Sequence, residues 1–151
     1  MSENGLSQCG VLMKKAELIN SEISYVVSKM GHLDGLTVCD AGLSVPDGVQ
    51  RIDLAVSAGV PSFMETVKAV VSELEVQDVE LAEEFKEVSP ELHQELVGFL
   101  ADLAAERGRD ISLRYMPHDE FKQQTATSKA VVRTGEYTPF ANVILKSGVV
   151  F

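Results

Sequence analysis

The groups in this sequence best able to move a proton or hold a hydroxylated ligand sit at the edges of its apolar runs. His32 follows Gly31 in "MGHLDGLTVCDAG" and stands just ahead of "LTVC", a short apolar stretch that ends in Asp40. An imidazole titrates near neutrality, so it can give and take a proton, while a carboxylate can orient a hydroxyl or a cation. His118 follows "ISLRYMP", and Asn142 follows the turn-forming "GEYTPFA". In open α/β sheets, ligands settle beyond the carboxyl ends of the strands. Asp40, His118 and Asn142 are therefore expected to converge from separate parts of the chain.

Each candidate also has an ordinary role open to it. Beside the negative end of a helix, a charged His32 gains ~0.3–1 kcal/mol with no catalysis involved. Asp40 can be a turn residue bonding the backbone ahead of Gly42. His118 can cap the helix that begins at Asp119, although Asp, Ser or Asn caps better. His93 falls on the outer flank of an amphipathic helix, where solvation is the simplest reading. Lys122 and Arg133 read as surface or ion-pair residues. A Cys39 nucleophile fits poorly, because a cysteine inside an apolar strand is usually inert packing. Neither a histidine pair at metal-ligand spacing nor a phosphate-cradling glycine loop is present.

The elements that must position these residues alternate in type. In "LINSEISYVVSKMGH", Asn20 or Ser21 can cap a helix with Glu22 in its first turn. Ile23, Val26, Val27 and Met30 then follow at helical spacing, and Gly31 supplies a left-handed stop. "LTVCD" reads as a buried strand. "RIDLAVSAGVPSF" reads as a strand, a turn, and a helix opened by Pro61 that runs to about Leu74. "VQDVELAEEF" is a third strand with a charged end. "SPELHQELVGFLADLAAERG" is the clearest helix, capped at Ser89, started by Pro90 and stopped by Gly108, with Leu92, Leu96, Leu100 and Leu103 in one stripe. "ISLRYM" is a strand, "HDEFKQQTATS" a short helix, and "AVVRTG" and "ANVILKSGVVF" are strands. The expected fold is a single α/β domain with a mostly parallel or mixed central sheet flanked by helices. Residues 1–12 read as a flexible N-terminal extension, with Met13 as an internal start, and residues 13–151 as the domain.

The 151 residues suffice for one domain with a proper core. A net charge of −10 with no basic patch argues against nucleic acid. Much of the excess lies between Glu73 and Glu91, a run read as a solvated outer face. Apolar stretches fall short of the ~20 residues a membrane-spanning helix needs. Two cysteines make no disulfide framework and there is no secretion signal, so a cytoplasmic protein is expected.

The stretches "LINSEISYVVSKMGHLD", "VCDAGLSVP", "RIDLAVSAGVPSFMETV", "HDEFKQQTATSKAVVRTGE" and "PFANVILKSGVVF" together resemble the D-ribose pyranase family across residues 13–151. The related fucose mutarotases share a "GH" near the start and a similar ending, but lack the "HDEFKQQT" block. The resemblance implies an isomerase that interconverts the pyranose and furanose forms of D-ribose without a cofactor. It implies His32 as the catalytic histidine, and Asp40 and His118 as sugar contacts, with Lys122 a weaker candidate in the same block. The family's Tyr-Ala-Asn sugar-contacting triplet appears here as Phe140, Ala141 and Asn142. Phe140 departs from the pattern, and a contact made through the tyrosine hydroxyl would be missing. The family also implies rings of five subunits, often paired as a decamer, with sites near subunit boundaries. Met-Lys-Lys starts in relatives support reading residues 1–12 as an extension.

Ring exchange in an aldopentose needs only proton shuttling. A base takes the anomeric proton while an acid protonates the ring oxygen, and a histidine near neutrality typically contributes ~10²–10⁴-fold. His32 is expected to donate to the ring oxygen, with Asp40 orienting hydroxyls and His118 and Asn142 fixing others. Two other readings stand beside this one: a sugar-binding or regulatory partner of a ribose uptake system, and a mutarotase for another sugar such as fucose.

Overall fold

Asn20 opens the first helix, α1 (Ser21–Lys29), with its side-chain oxygen accepting the Ile23 N–H at 2.8 Å. The computed structural model describes residues 14–151, so the expected N-terminal extension lies outside the described residues. The stop at α1 differs from expectation. Met30, in extended conformation, caps the helix, and the left-handed residue is Leu33 (φ 68°) rather than Gly31.

After α1 the elements follow as β1 (Gly35–Cys39), β2 (Gln50–Asp53), α2 (Phe63–Val71), β3 (Val76–Ala82), α3 (Glu83–Val88), α4 (Pro90–Arg107), β4 (Ser112–Met116), α5 (His118–Thr125), β5 (Ala130–Arg133) and β6 (Val143–Ser147). The six strands form one mixed sheet in the order β2-β5-β1-β6-β3-β4. β6 is antiparallel to both its neighbours, and the remaining pairs are parallel. Five strands therefore end at the same edge, where β6 begins.

Alternation along β1 shows how the sheet divides its two faces. Leu36 and Val38 join the larger core, which packs Ile23 and Val26 of α1, Phe63, Val67 and Val70 of α2, and Leu96 and Leu100 of α4. Cys39 points the other way, into a smaller cluster with Phe121 of α5, Met116 and Ile144. Burial pushes the Cys39 thiol up to about 12, which leaves it an inert packing group.

Local readings change at three elements. Pro61 does not start a helix: Ser62 is the N-cap of α2, and its hydroxyl accepts the Glu65 N–H while Glu65 accepts the Ser62 N–H. The helix also ends at Val71, short of Leu74. The charged end of the third strand is instead the helix α3, held by Phe85, whose ring packs edge-on to Phe63 at 5.9 Å. Ser89 does stand at the N-cap of α4, but its hydroxyl donates to Pro139 O at 2.7 Å rather than serving the helix.

The acidic run from Glu73 to Glu91 is likewise not one solvated face. Glu75 pairs with Arg107 at 2.5 Å. Glu80 is 1% exposed, between Arg114 and Lys146, each at 3.4 Å. His93 is half-buried rather than solvated, hydrogen-bonded to Tyr115 Oη at 2.5 Å and edge-on to Phe85. Burial, and secondarily Lys86, hold its pKa below the ordinary histidine value.

Candidate functional site

Because β1, β4 and β5 all end where β6 begins, Asp40, His118 and Asn142 come to one edge of the sheet, as their positions at the ends of apolar runs predict. Asp40 follows the last residue of β1. Its backbone N–H donates to Asn142 Oδ1 at 2.8 Å, and its own Oδ1 accepts the Gly42 N–H at 3.0 Å. The turn role open to Asp40 is thus fulfilled, and the same geometry fixes the carboxylate. Burial raises the Asp40 pKa. Hydrogen bonds from the Gly42 and Leu43 N–H groups, the neighbouring His118 and the Asn142 side chain work in the opposite direction.

His118 is the first residue of α5, and the cap position belongs to Pro117. Its ring stacks on Phe121 with centroids 6.3 Å apart and meets Phe140 edge-on at 4.9 Å. Among the described residues its buried Nδ1 has no hydrogen-bond partner. Its backbone N–H donates to Glu84 Oε1 at 3.0 Å. Lys122 lies one turn further along α5 and is exposed.

Phe140 adopts a left-handed backbone (φ 62°) that bulky residues rarely take. Its carbonyl accepts the Asn142 N–H at 2.8 Å. That bend leaves Ala141 and Asn142 buried and aims the Asn142 amide at Asp40. The Thr134–Asn142 loop is pinned from several sides. Ala41 N–H donates to Glu136 O at 2.8 Å, Arg133 Nε donates to Ala41 O at 3.0 Å, and the Glu136 carboxylate accepts from Phe63 N and Thr138 Oγ1. An open cavity of about 450 Å³ adjoins Asp40, lined by Gly42, Arg133, Glu136 and Tyr137. Among the described residues no three His, Cys, Asp or Glu side chains gather as a metal site requires.

His32 does not join this group within the chain. It sits in a turn closed by the Asp34 N–H on Gly31 O (3.1 Å), and the Leu33 N–H ties that turn to Ser147 O at the far end of β6 (2.8 Å). The five residues of β1 separate this turn from Asp40, which at the usual strand rise of ~3.3 Å per residue puts Asp34 and Asp40 about 20 Å apart. The ring is exposed, and Nε2 donates to Gln77 Oε1 at 3.0 Å. A single chain therefore places its proton-donor candidate, His32, and its hydroxyl-orienting carboxylate, Asp40, at opposite edges of the sheet.

Sequence reasoning left Glu84 in the acidic run read as solvated, passed over Glu136, and read Arg133 as a surface or ion-pair residue. Arg133 does pair with Asp53 at 3.1 Å, but it also holds the Asp40 loop. Pro117 carried a usable signal: a cap with no side-chain acceptor needs an acceptor from elsewhere in the fold. Nothing local marks Glu84 as that acceptor.

The sequence profile of the RbsD / FucU transport protein family matches residues 13–150, and the chain belongs to this family. It is 59% identical over 139 residues to a D-ribose pyranase of Maridesulfovibrio salexigens, covering 92% of this chain and all of the relative. Among solved structures it is similar to Bacillus subtilis RbsD complexed with D-ribose (42% identity, TM-score 0.79, covering 92% of this chain and all of that one). FucU from Bifidobacterium longum shares the fold at 24% identity and TM-score 0.71, over 89% of this chain and 99% of its own.

Proposed function

We propose that this chain is a D-ribose pyranase, an isomerase that exchanges the pyranose and furanose rings of D-ribose. The observation that carries the reading is the 59% identity over 139 residues to a D-ribose pyranase. The cluster of Asp40, His118 and Asn142 supports it. A polyol needs several fixed donors and acceptors to define its pose. Here these are a carboxylate, an imidazole Nε2 and a buried amide, in place at the sheet edge.

In this reading Asp40 accepts hydrogen bonds from sugar hydroxyls, and His118 Nε2 and Asn142 hold others. Lys122 lies at the rim of the same site, with Ala141 and the Phe140 backbone along its floor. Phe140 has no hydroxyl, so its share of the pose is backbone and ring surface. His32 is the group that protonates the ring oxygen and recovers the proton on closure. With Nε2–H engaged by Gln77, Nδ1 is the nitrogen left to shuttle it.

His32 reaches the sugar from a neighbouring subunit, because its own strand holds it at the wrong edge. The acting form is then a ring of subunits, five or a paired ten, in the cytoplasm. Leu33 supports the importance of this turn. Leu33 and Phe140 are the two non-glycine residues with positive φ among those described, and such residues concentrate at functional sites. One adjoins His32 and the other Ala141.

Magnetisation-transfer NMR on equilibrated D-ribose, with and without protein, tests the reading. Faster pyranose–furanose exchange is expected, with L-fucose as the comparison sugar. Line broadening with no added exchange selects a binding protein instead.

A further inference from the structure

We infer that Glu84 is a positioning residue for His118, fixing the imidazole that the sugar meets. α5 begins immediately after β4, and Pro117 occupies its cap. Proline offers no side-chain acceptor, so the first N–H groups of α5 have no local partner. The His118 N–H takes Glu84 Oε1 instead, at 3.0 Å. Glu84 comes from a different element, the first turn of α3, directly after β3. Its neighbour Glu83 turns away to pair with Lys86 at 3.1 Å.

β3 and β4 are adjacent and parallel, with Ala82 opposite Met116. Two residues beyond each of these partners stand Glu84 and His118. The register of one strand pair therefore sets the carboxylate beside the start of α5. A carboxylate there satisfies a stranded donor and also meets the positive end of the helix. It anchors the backbone of His118 while Phe121 and Phe140 hold the ring. With Nδ1 buried and unpartnered among the described residues, Nε2 is the ring nitrogen that faces the sugar, and its aim depends on that backbone.

The inference rests on the reading of His118 as a sugar contact. Its test uses the full-length assembled protein carrying Glu84→Ala, Glu84→Gln or His118→Ala. Two readouts are taken: ribose exchange kinetics, and hydrogen–deuterium exchange of the His118 amide. Glu84→Ala is expected to speed His118 amide exchange by about tenfold or more, since its acceptor is gone. It should raise KM for ribose about three- to tenfold with kcat within about twofold, as loss of uniform binding does. Glu84→Gln keeps a carbonyl acceptor and is expected to recover most of both effects.

A Glu84→Ala amide as protected as the native one overturns the inference. So does a KM left unchanged by Glu84→Ala while His118→Ala raises it, or a Gln variant no better than the Ala variant. If His118→Ala itself leaves ribose binding untouched, the sugar-contact reading fails. The amide exchange then still reports whether Glu84 holds the start of α5.

Discussion

His32 and Asp40 flank the same strand, and β1 holds them at opposite edges of the sheet, one beside Ser147 at the end of β6 and the other bonded to Asn142 at its start. Two groups separated in this way can meet on one sugar only if two chains supply them. The first prediction follows from that separation. His32→Ala and Asp40→Ala proteins should each lose ring exchange. Subunits of the two variants, mixed by unfolding and refolding together, should regain about a quarter of the native sites in a head-to-tail ring. NMR exchange rates on the mixture check this, and a natively assembled mixture as inactive as its parents would show that His32 does not act across subunits.

Asp40 carries a second prediction. Burial raises its pKa above the ordinary 3.8, so the folded state holds the proton more tightly than the unfolded chain does. Its favourable contribution is complete below about pH 3.8 and is lost as pH rises through the raised native value. At neutral pH the ionised group costs stability. Asp40→Asn keeps an acceptor for the Gly42 N–H and removes the charge. It is expected to raise Tm at pH 7, with the gain vanishing in strong acid. Ribose affinity should fall by roughly tenfold or more, the scale of a lost hydrogen bond to a charged group (~1.5–3 kcal/mol). Thermal melts across pH and ribose titration together test both halves.

His93 has the opposite sign. Its folded pKa lies below 6.5, chiefly through burial and then through Lys86. The stability this represents is present above about pH 6.5 and is lost as pH falls through the depressed native value. Tm of the native protein should drop between pH 7.5 and 5 more steeply than that of His93→Gln, which can still bond Tyr115 Oη but cannot titrate. Parallel slopes for the two proteins would remove His93 from the account.

Gly135 is required for a steric reason. A Cβ there would lie 2.4 Å from Val60 O and 2.5 Å from Ser57 O, since the two loops exchange backbone hydrogen bonds at this point. Gly135→Ala must push apart the segment leading to Phe140 and Asn142. Overpacking of this kind costs ~1–3 kcal/mol, which for a chain of this size is a fall in Tm of roughly 3–10 °C. Ribose affinity should fall with it. A variant with native Tm and native affinity would show that the loop gives way freely.

Much of this architecture was legible in the order of residues, because local rules governed it. Asn20 capped its helix where a short polar side chain ahead of an apolar periodic run should. Pro90 and Gly108 bounded α4, with Gly108 left-handed at φ 71°. Apolar runs ending in Asp40 and Pro117 were strands with their polar residues at one edge, because alternating strands and helices run mostly parallel.

Where a tertiary partner outweighed the local signal, the reading shifted. The acidic residues after Val79 look solvated one at a time. Yet Glu80 is buried between cations from two flanking strands, and Glu84 serves a helix 34 residues away. The histidines divide in the same manner. His93 is half-buried by Phe85 and Tyr115, contacts that helical spacing cannot reveal.

The sequence alone determined the family, the alternation of elements and the types of residue able to hold and protonate a sugar, since each depends on side-chain chemistry or local periodicity. Only the tertiary structure decided which of them meet. The antiparallel insertion of β6 between β1 and β3 brings Asn142 to Asp40 and carries Ser147 away to His32. Strand order and direction are set by long-range pairing, which no short stretch of chain encodes.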